Sequence, residues 1–471
     1  MVSHEITERI EQYIKDHHRE IVEDLKTLVR IPSISREGEG GFPFGPNCAK
    51  VLDKAVEMAK NHGLESENHG NWYGTATYGS GDKLIGIFSH LDVVPEGNNW
   101  KYDPYNPIEK DGYLIGRGVA DNKNAAVAGM YVMKCIKDLG IPLNSRISLY
   151  FGASEETGMK DIERFIAEQP MPDFSIVPDT DFPVCHGEKG IMNTYAECTT
   201  PFTDIKSFSG GLVTNMVADR AVAELNFVPA LLDELSGMAE RNARITVDKN
   251  QGCIVVTATG VSSHASRPKG SINAIWELAK FLRGSQLLAK SDRNIMSFIT
   301  EVLADNYGEK IGIARSDDPS GKLTCICGVA ETQNRFCKLH FDIRYPVTAE
   351  GADVRTAMAP CFEKNGWSFK LSHDSKPAYV PKDDPKVQEL CRIYTEVTGK
   401  DSTPYVMGGG TYSRKLRNAI GFGMEDSSVN PFPAGHGGVH QPDEAMPIQG
   451  IYDAIKIYVL SVIEIDQLLH R

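Results

Sequence analysis

Three apolar segments of this chain each end on histidine or acidic residues, and stretches with helical periodicity separate them. The segments cover residues 84–88, 146–154 and 174–177. The polar residues that follow them are His90, Asp92, Glu155, Glu156 and Asp179. Strands that alternate with helices form a largely parallel sheet covered by helices, and ligands of such folds bind beyond the carboxyl ends of the strands. We therefore predict an α/β domain in which these polar side chains converge on one site.

The residue types at these strand ends are typical of a metal site with oxygen and imidazole ligands. His90 and Asp92 are two residues apart on an extended segment, so their side chains point the same way. A carboxylate in that position can fix the tautomer of a metal-binding imidazole. Asp121, which precedes an apolar helical stretch, is a further carboxylate in this part of the chain. Such a set without thiolates suits zinc, with manganese or cobalt as alternatives.

Each of these residues also has an ordinary structural interpretation. An isolated H-x-D at a strand end can belong to a hydrogen-bonded polar cluster. Asp121 can cap the helix that follows it, and Glu155 with Glu156 can form a surface charge pair. Their joint occurrence at the predicted edge of one sheet favours the metal site.

The alternation of strands and helices is interrupted in the middle of the chain. A length of 471 residues indicates at least two domains. Shorter strands dominate from about residue 190 to residue 381, and the alternation returns near residue 385. We predict a catalytic metal-binding domain of residues 1–188 and 382–471 and an inserted α+β domain of residues 189–381.

Charge and hydropathy exclude several classes of partner. The formal net charge of −13 argues against binding to nucleic acid or anionic membranes. The chain has no apolar run of about 18 residues, and its first residues lack the apolar core of a signal peptide. The ten cysteines are scattered and form no C-x-x-C pair, which favours reduced thiols. We expect a cytoplasmic protein that binds neither nucleic acid nor membranes.

Five motifs follow one another along the chain. They are HLDVVP, GRGVADNK, SEETG, PDTDFPV and GHGGVHQPDE. In this order they resemble the two-metal aminopeptidase and deacylase family, which includes aminoacylases, succinyl-diaminopimelate desuccinylase and carnosinases. The resemblance extends over essentially the whole chain and is greatest to the bacterial dipeptidase V group. It implies a zinc-peptidase type of fold in which the inserted domain is a lid.

The resemblance also implies the ligands of two divalent metal ions. His90 and Asp179 bind the first ion, and Asp121 bridges both ions. Glu156 and His440 bind the second ion. Physically, a bridging carboxylate can hold two cations about 3.5 to 4 Å apart, where they lower the pKa of a shared water and polarise the scissile carbonyl.

The remaining residues of these motifs receive catalytic or supporting roles. Glu155 is implied as the general base, and next to a ligating Glu156 it is free to move the proton to the leaving amine. Asp92 is implied to orient His90. Two positions depart from the common family pattern, namely Asn124, where Gly is frequent, and HQPDE in place of H-x-x-N-E. Neither removes a ligand, although His436 is an alternative to His440.

Three residues of the inserted domain and one of the segment that follows it match substrate-binding positions of the family. They are Asn215 in GGLVTNMV, His264 in GVSSHASRPKG, Arg344 in DIRYP and Gly408 in MGGGTYSR. The resemblance implies that His264 stabilises the tetrahedral oxyanion and that the other three hold the substrate. An arginine fork suits a terminal carboxylate, so Arg344 has a physical reason to select a free C-terminus. The ordinary alternatives are a solvated loop histidine, a surface ion pair of Arg344 with Asp342, and a tight bend at Gly408.

These observations together predict a metal-dependent dipeptidase that cleaves dipeptides or short peptides with a free N-terminus through a water activated by two metals. The double-length lid of the dipeptidase V group covers the site within one subunit, so we expect a monomer whose partner is a small peptide substrate. Because the metal motifs do not distinguish between them, an N-acyl amino acid deacylase or desuccinylase is the alternative. A noncatalytic binding protein on the same scaffold is a third hypothesis, against which the retained Glu155 speaks.

Overall fold

The computed structural model describes residues 2–38, 40–425 and 431–471, and the chain forms two compact units. The first unit consists of Met1–Gly187, Ala378–Tyr405 and Thr411–Arg471. The second unit consists of Glu188–Pro377 and Val406–Gly410. The chain therefore leaves the first unit, builds the second, and returns to complete the first.

The amino-terminal part of the chain alternates helices and strands. Its elements are α1 (His4–Val29), α2 (Pro46–Asn61), β1 (Glu65–His69), β2 (Tyr73–Tyr78), β3 (Leu84–His90), β4 (Ile108–Lys110), β5 (Tyr113–Ile115), α3 (Lys123–Asp138), β6 (Arg146–Gly152), α4 (Lys160–Glu168), β7 (Phe174–Val177), β8 (Thr180–Asp181) and β9 (Cys185–Glu188). In α1, the buried Ile10, Ile14, Ile21 and Leu25 lie at helical spacing and face the core. The Ser3 hydroxyl caps this helix by accepting the backbone N–H of Ile6 at 3.3 Å.

The second unit is built around an antiparallel sheet. Its elements are β10 (Gly190–Cys198), β11 (Ile205–Gly210), β12 (Arg220–Asn226), α5 (Pro229–Ala239), β13 (Ile245–Asn250), β14 (Cys253–Thr259), α6 (Ala274–Leu282), α7 (Lys290–Val302), β15 (Ser316–Asp317), β16 (Gly321–Lys322), β17 (Thr324–Gln333), β18 (Phe336–Tyr345), α8 (Gly351–Glu363) and β19 (Trp367–Ser375). The strand order is β13-β14-β12-β11-β17-β18-β10-β19. Along β10, buried and half-buried residues alternate, as expected for a sheet with one covered face. The covered face and the helices form a hydrophobic core that belongs to this unit.

The chain then returns to the first unit. The remaining elements are β20 (Ala378–Tyr379), α9 (Pro385–Thr398), β21 (Tyr405–Met407), a 3₁₀ turn (Tyr412–Lys415), β22 (Ala419–Gly421), β23 (Met424–Glu425), β24 (Ala445–Pro447) and α10 (Ile448–Leu469).

The main sheet of the first unit has a parallel centre. Its strand order is β1-β2-β6-β3-β7-β22-β9-β20, and β21 also pairs with β9. The pairs β3 with β6, β3 with β7, and β22 with β7 are parallel. Every residue of β3 is buried, because helices cover both faces of a parallel sheet. The predicted α/β class with a parallel sheet is confirmed, while the antiparallel pairing of β1, β2 and β6 at one edge was not predicted.

Two further sequence expectations concern helices and cysteines. No helix in the described parts of the chain is long and apolar enough to cross a lipid bilayer. All ten cysteines lie in the described parts, and each is a free thiol.

Candidate metal centre

His90 lies at the carboxyl end of the central strand β3 and is buried. Its Nε2 atom is 2.9 Å from Asp121 Oδ1 and 3.6 Å from Asp179 Oδ1. Asp179 follows the neighbouring strand β7, so two adjacent parallel strands deliver their polar ends to one place. This is the edge of the sheet at which the sequence predicts a site.

Asp121 lies between two histidines. Its Oδ1 atom faces His90, and its Oδ2 atom is 2.8 Å from Nε2 of His440. The same His440 nitrogen is 2.9 Å from Glu156 Oε1. The helix α3 that follows has Asn122 at its N-cap position, so Asp121 is not the capping residue. The side chain of Asp121 instead contacts two imidazoles, one with each carboxylate oxygen.

The donor atoms form two overlapping groups. One group is His90, Asp121 and Glu156, and the other is His90, Glu155 and Asp179; within each group the donor atoms lie within 4.8 Å of one another. Glu155 therefore lies as close to a possible cation position as the expected ligands His90 and Asp179 do. His440 is half-exposed, and its Nε2 atom contacts Asp121 and Glu156 of the first group.

Burial and neighbouring charges shift the pKa values of this cluster. Burial raises the pKa of Glu155 well above its ordinary value, and the nearby Asp179 adds to that rise. Burial also raises the pKa of Asp179. Burial lowers the pKa of His440, but hydrogen bonds with Asp121 and Glu156 outweigh this and raise it to about 11. The carboxylates and imidazoles form an oxygen and nitrogen donor set that fits divalent metal ions.

Asp92 supports the turn that carries the two glutamates. Its carboxylate oxygens accept the backbone N–H groups of Glu155 and Glu156, each at 3.1 Å. Nδ1 of His90 lies 3.0 Å from the Asp92 carbonyl oxygen and 3.4 Å from its Oδ1. The sequence predicts that the Asp92 carboxylate orients His90, whereas the hydrogen bond of Nδ1 is made with the Asp92 backbone carbonyl and the carboxylate bonds to the glutamate turn.

A second buried carboxylate, Asp161, holds the end of β6. Its Oδ2 atom accepts the backbone N–H groups of Ala153 and Ser154 at 2.7 and 3.0 Å and the Tyr412 hydroxyl at 2.5 Å. A side chain at Gly152 would collide with that hydroxyl, which explains why glycine is needed there. Sequence reasoning missed both Asp161 and Tyr412.

Glu444 and Asn122 hold the loop around Asp121. Oε1 of the buried Glu444 accepts the backbone N–H of Asp121 at 3.2 Å, and its Oε2 accepts Arg117 Nη1 at 2.6 Å. Asn122 donates from Nδ2 to Asp179 Oδ1 at 3.1 Å. Sequence reasoning missed these roles too, although both residues lie inside the motifs. Asn122 directly follows Asp121, and Glu444 is the last residue of HQPDE.

The four substrate-binding candidates lie in the second unit and are connected there. The Asn215 carbonyl accepts the backbone N–H of Ala265, next to His264. His264 Nδ1 lies 2.7 Å from the Ser266 hydroxyl, and Ser266 packs so closely against Gly408 that a side chain at 408 would collide with it. The Gly408 carbonyl in turn accepts Arg344 Nη1 at 2.8 Å.

Arg344 pairs with Asp342, but inside the unit and not on its surface. Its Nε and Nη2 atoms donate to the two Asp342 oxygens at 2.6 and 2.8 Å, and both side chains are buried. With Nη1 donating to Gly408, each terminal nitrogen keeps one further N–H. The guanidinium is therefore fixed in orientation and retains two further N–H groups.

Comparison with known proteins identifies the family of the chain. Residues 86–464 match the peptidase family M20/M25/M40. Over 464 residues, covering 95% of this chain and 97% of the relative, the chain is 30% identical to "Putative dipeptidase SSP1012" of Staphylococcus saprophyticus. It is also 30% identical over 460 residues, with 95% and 97% coverage, to "Putative dipeptidase YtjP" of Bacillus subtilis.

Solved structures show the same fold at low sequence identity. Human carnosine dipeptidase 1 aligns with a TM-score of 0.55 and 18% identity, covering 98% of this chain and 99% of that one. Aminoacylhistidine dipeptidase from Vibrio alginolyticus aligns with a TM-score of 0.57 and 14% identity, covering 94% and 96%.

Proposed function

We propose, since the chain belongs to peptidase family M20/M25/M40, that this metallopeptidase is a dipeptidase acting on dipeptides or short peptides with a free N-terminus. The observation that carries the proposal is the position of Asp121, whose two carboxylate oxygens face His90 and His440 at 2.9 and 2.8 Å. A carboxylate between two imidazoles suits a paired cation site. The dipeptidase names of the relatives support the substrate class.

The paired site would hold two divalent ions. His90, Asp121 and Asp179 would bind one ion, and Asp121 would share the other with Glu156 and His440. We propose zinc, with manganese and cobalt as alternatives, because the donors are oxygen and imidazole nitrogen. When bound, the ions supply a lowered pKa for a shared water and a polarised scissile carbonyl.

The chain's own residues would move the proton and hold the substrate. Glu155 would take the proton from the attacking water and pass it to the leaving amine. Its pKa, raised by burial and by Asp179, supports a carboxyl that can retain a proton between these steps. Asp92 would keep Glu155 in place through the backbone N–H at 3.1 Å.

Binding of the substrate would use the second unit. We propose that Arg344, with its remaining donors, and Gly408 and Asn215 hold the free C-terminal carboxylate end. His264 would donate to the oxyanion of the tetrahedral intermediate. Its Nδ1 contact with Ser266 at 2.7 Å supports a fixed ring orientation.

We further propose that the enzyme acts as a cytoplasmic monomer and that the lid is the inserted segment of residues 189–381. Light scattering of the metal-loaded protein tests the first part, because a dimer would give twice the mass. Cell fractionation tests the location.

The deciding experiment measures hydrolysis of matched dipeptides, N-acetylated dipeptides and N-acyl amino acids by protein stripped of metal and then reloaded with zinc, manganese or cobalt. Cleavage that depends on metal and is restricted to free-amine dipeptides supports the proposal. Cleavage of the acylated compounds would instead make the chain a deacylase or desuccinylase. Absence of turnover with every metal would favour a noncatalytic binding protein.

The role of Glu155 has its own test. Glu155→Gln should abolish turnover while the protein still binds two equivalents of metal, and the exposed Glu67→Gln serves as a control with the same chemical change. Loss of metal together with turnover would instead make Glu155 a ligand, as its proximity to His90 and Asp179 allows.

A further inference from the structure

A cavity in the first unit lies beside the turn that carries Glu155 and Glu156. Its volume is about 590 Å³, within the usual range for small-molecule sites. Ser154 and Thr157, which flank the two glutamates, form one wall. Residues 36–38 and 40–44 also line the cavity.

Hydrogen bonds preform this cavity. Thr157 Oγ1 lies 2.7 Å from the Ser35 hydroxyl and 3.0 Å from the Ser154 hydroxyl, which joins the loop to the glutamate turn. At the far end, the Asn71 side chain donates to the Gly41 carbonyl at 3.0 Å. A ligand would therefore meet a wall that is already ordered, which reduces the entropic cost of binding.

The cavity combines aromatic and cationic side chains. Phe42, Phe44 and Trp72 line it, and the rings of Phe44 and Trp72 meet edge to face at 5.3 Å. Arg36 and Lys160 also line it, and within the described residues neither forms an ion pair.

Among the described lining residues, cations outnumber carboxylates. Glu37 is the acidic residue among the described lining residues. The neighbouring Arg164 lies over the Trp72 ring, but its guanidinium is paired with Glu168 at 2.7 Å. Two lining cations against one carboxylate favour an anionic ligand over a neutral or cationic one.

We propose that this cavity receives the side chain of the substrate's N-terminal residue and that Arg36 and Lys160 make the enzyme prefer an acidic side chain there. The inference rests on the proposed dipeptidase function. Glu155 would act at the carbonyl of that residue, and the side chain is attached to the carbon next to this carbonyl. A side chain that leaves the reaction centre on the side of Ser154 and Thr157 would enter the cavity that these two residues line. The aromatic rings contact its methylene groups, and the two cations meet its carboxylate.

The test compares Glu-Ala with Gln-Ala, which has nearly the same shape but no charge. The ratio of their kcat/KM values should be about 5 to 10 in the wild type, because both cations are exposed and a charged hydrogen bond there is partly screened. In Arg36→Gln together with Lys160→Gln the ratio should fall close to one. The exposed Lys60→Gln, on α2, removes the same charge elsewhere and should keep the wild-type ratio.

Binding to a form that does not turn over gives an independent readout. With metal-loaded Glu155→Gln protein, calorimetric titration should give tighter binding of Glu-Ala than of Gln-Ala, and the two cavity substitutions should remove that difference. In Lys160→Glu protein, Lys-Ala should become preferred over Glu-Ala.

The outcomes separate the inference from the function it rests on. Hydrolysis of Ala-Ala with a wild-type Glu-Ala to Gln-Ala ratio near one, or with a ratio that the cavity substitutions leave unchanged, overturns the acidic preference and leaves the dipeptidase function intact. Failure to cleave any of these dipeptides overturns the proposed function, and the inference with it.

Discussion

The carboxylate of Glu444 accepts the backbone N–H of Asp121 at 3.2 Å. The same oxygen accepts the N–H groups of Gly118 and Ala120, each at 3.0 Å, and the other oxygen pairs with Arg117. Glu444 is fully buried, so these bonds are not exchanged with water. The orientation of the backbone from which Asp121 projects therefore depends on a residue more than 300 positions away in the chain.

Glu444→Gln should weaken metal binding. The amide keeps one acceptor oxygen but places an NH₂ group against Arg117 or against the loop, and one set of bonds is lost. Loss of an outer carboxylate typically weakens metal affinity by about 10- to 100-fold. Titration of metal-stripped protein with zinc measures this, and the surface substitution Glu109→Gln is the matched control. Unchanged zinc affinity would mean that Glu444 serves packing alone.

Asp92→Asn should reduce turnover more than metal content. Asp92 accepts the N–H groups of Glu155 and Glu156 with one oxygen each. In the amide, one of these N–H groups faces another donor, so the glutamate turn loses its fixed position. We expect kcat to fall by about 10- to 100-fold, as for other positioning carboxylates. Kinetics with parallel metal analysis test this, and the exposed Asp53→Asn should behave as wild type.

Arg344→Lys should raise KM for substrates with a free C-terminal carboxylate. Lysine cannot reach the two Asp342 oxygens and the Gly408 carbonyl while keeping a planar pair of donors for the substrate. We expect an increase of about tenfold or more in KM for a dipeptide and a much smaller one for its amide. The exposed Arg220→Lys controls for the substitution itself. Equal losses on both substrates would contradict the assignment.

Removal of divalent ions should destabilise the protein. Without cations, the carboxylates of Asp121, Glu155, Glu156 and Asp179 face one another across a few ångströms, compensated only by protons. A ligand at 1,000 times its Kd stabilises by about 4 kcal/mol, so a chelator should lower Tm by several degrees. Thermal unfolding with chelator, and after readdition of zinc, manganese or cobalt, measures the shift. Identical Tm values in all states would argue against a metal site.

The sequence predicts the elements that carry the candidate ligands because their signals are local. The apolar run of β3 and the helical spacing of the buried residues of α1 are visible within a few residues. Parallel strands have their carboxyl ends at the same edge of the sheet. The residues at these ends can therefore be predicted to lie close together from the strand pattern alone. His90 and Asp179 are neighbours for that reason.

The supporting contacts could not be predicted, because they depend on distant parts of the chain. The Tyr412 hydroxyl meets Asp161 across 251 residues, and no periodicity links the two. The short strands β9 and β22, which place the return of the chain beside β7, are too brief to show a pattern. The proximity of Glu155 to His90 and Asp179 likewise depends on the directions of the three side chains, which the sequence pattern does not give.

Asp161 should make stability depend on pH in a direction that is unusual for an aspartate. Burial and the Asp92 carboxylate raise its pKa from 3.8 to about 6, against the hydrogen bonds from Tyr412 and the backbone. Between pH 4 and 6 the folded state therefore binds a proton that the unfolded state releases, so this contribution to stability is full below pH 4 and is lost as the pH rises past 6.

Asp161→Asn removes that titration. Between pH 5 and pH 7.5 the wild type should lose roughly 1 kcal/mol of unfolding free energy that the variant does not lose, as follows from linkage with a pKa raised in the folded state. Urea unfolding of both proteins at the two pH values measures the difference, and the exposed Asp16→Asn should follow the wild type. The same pH dependence in Asp161→Asn and in the wild type would show that Asp161 stays ionised throughout. In that case the bonds from Tyr412, Ala153 and Ile162 would outweigh the effect of burial.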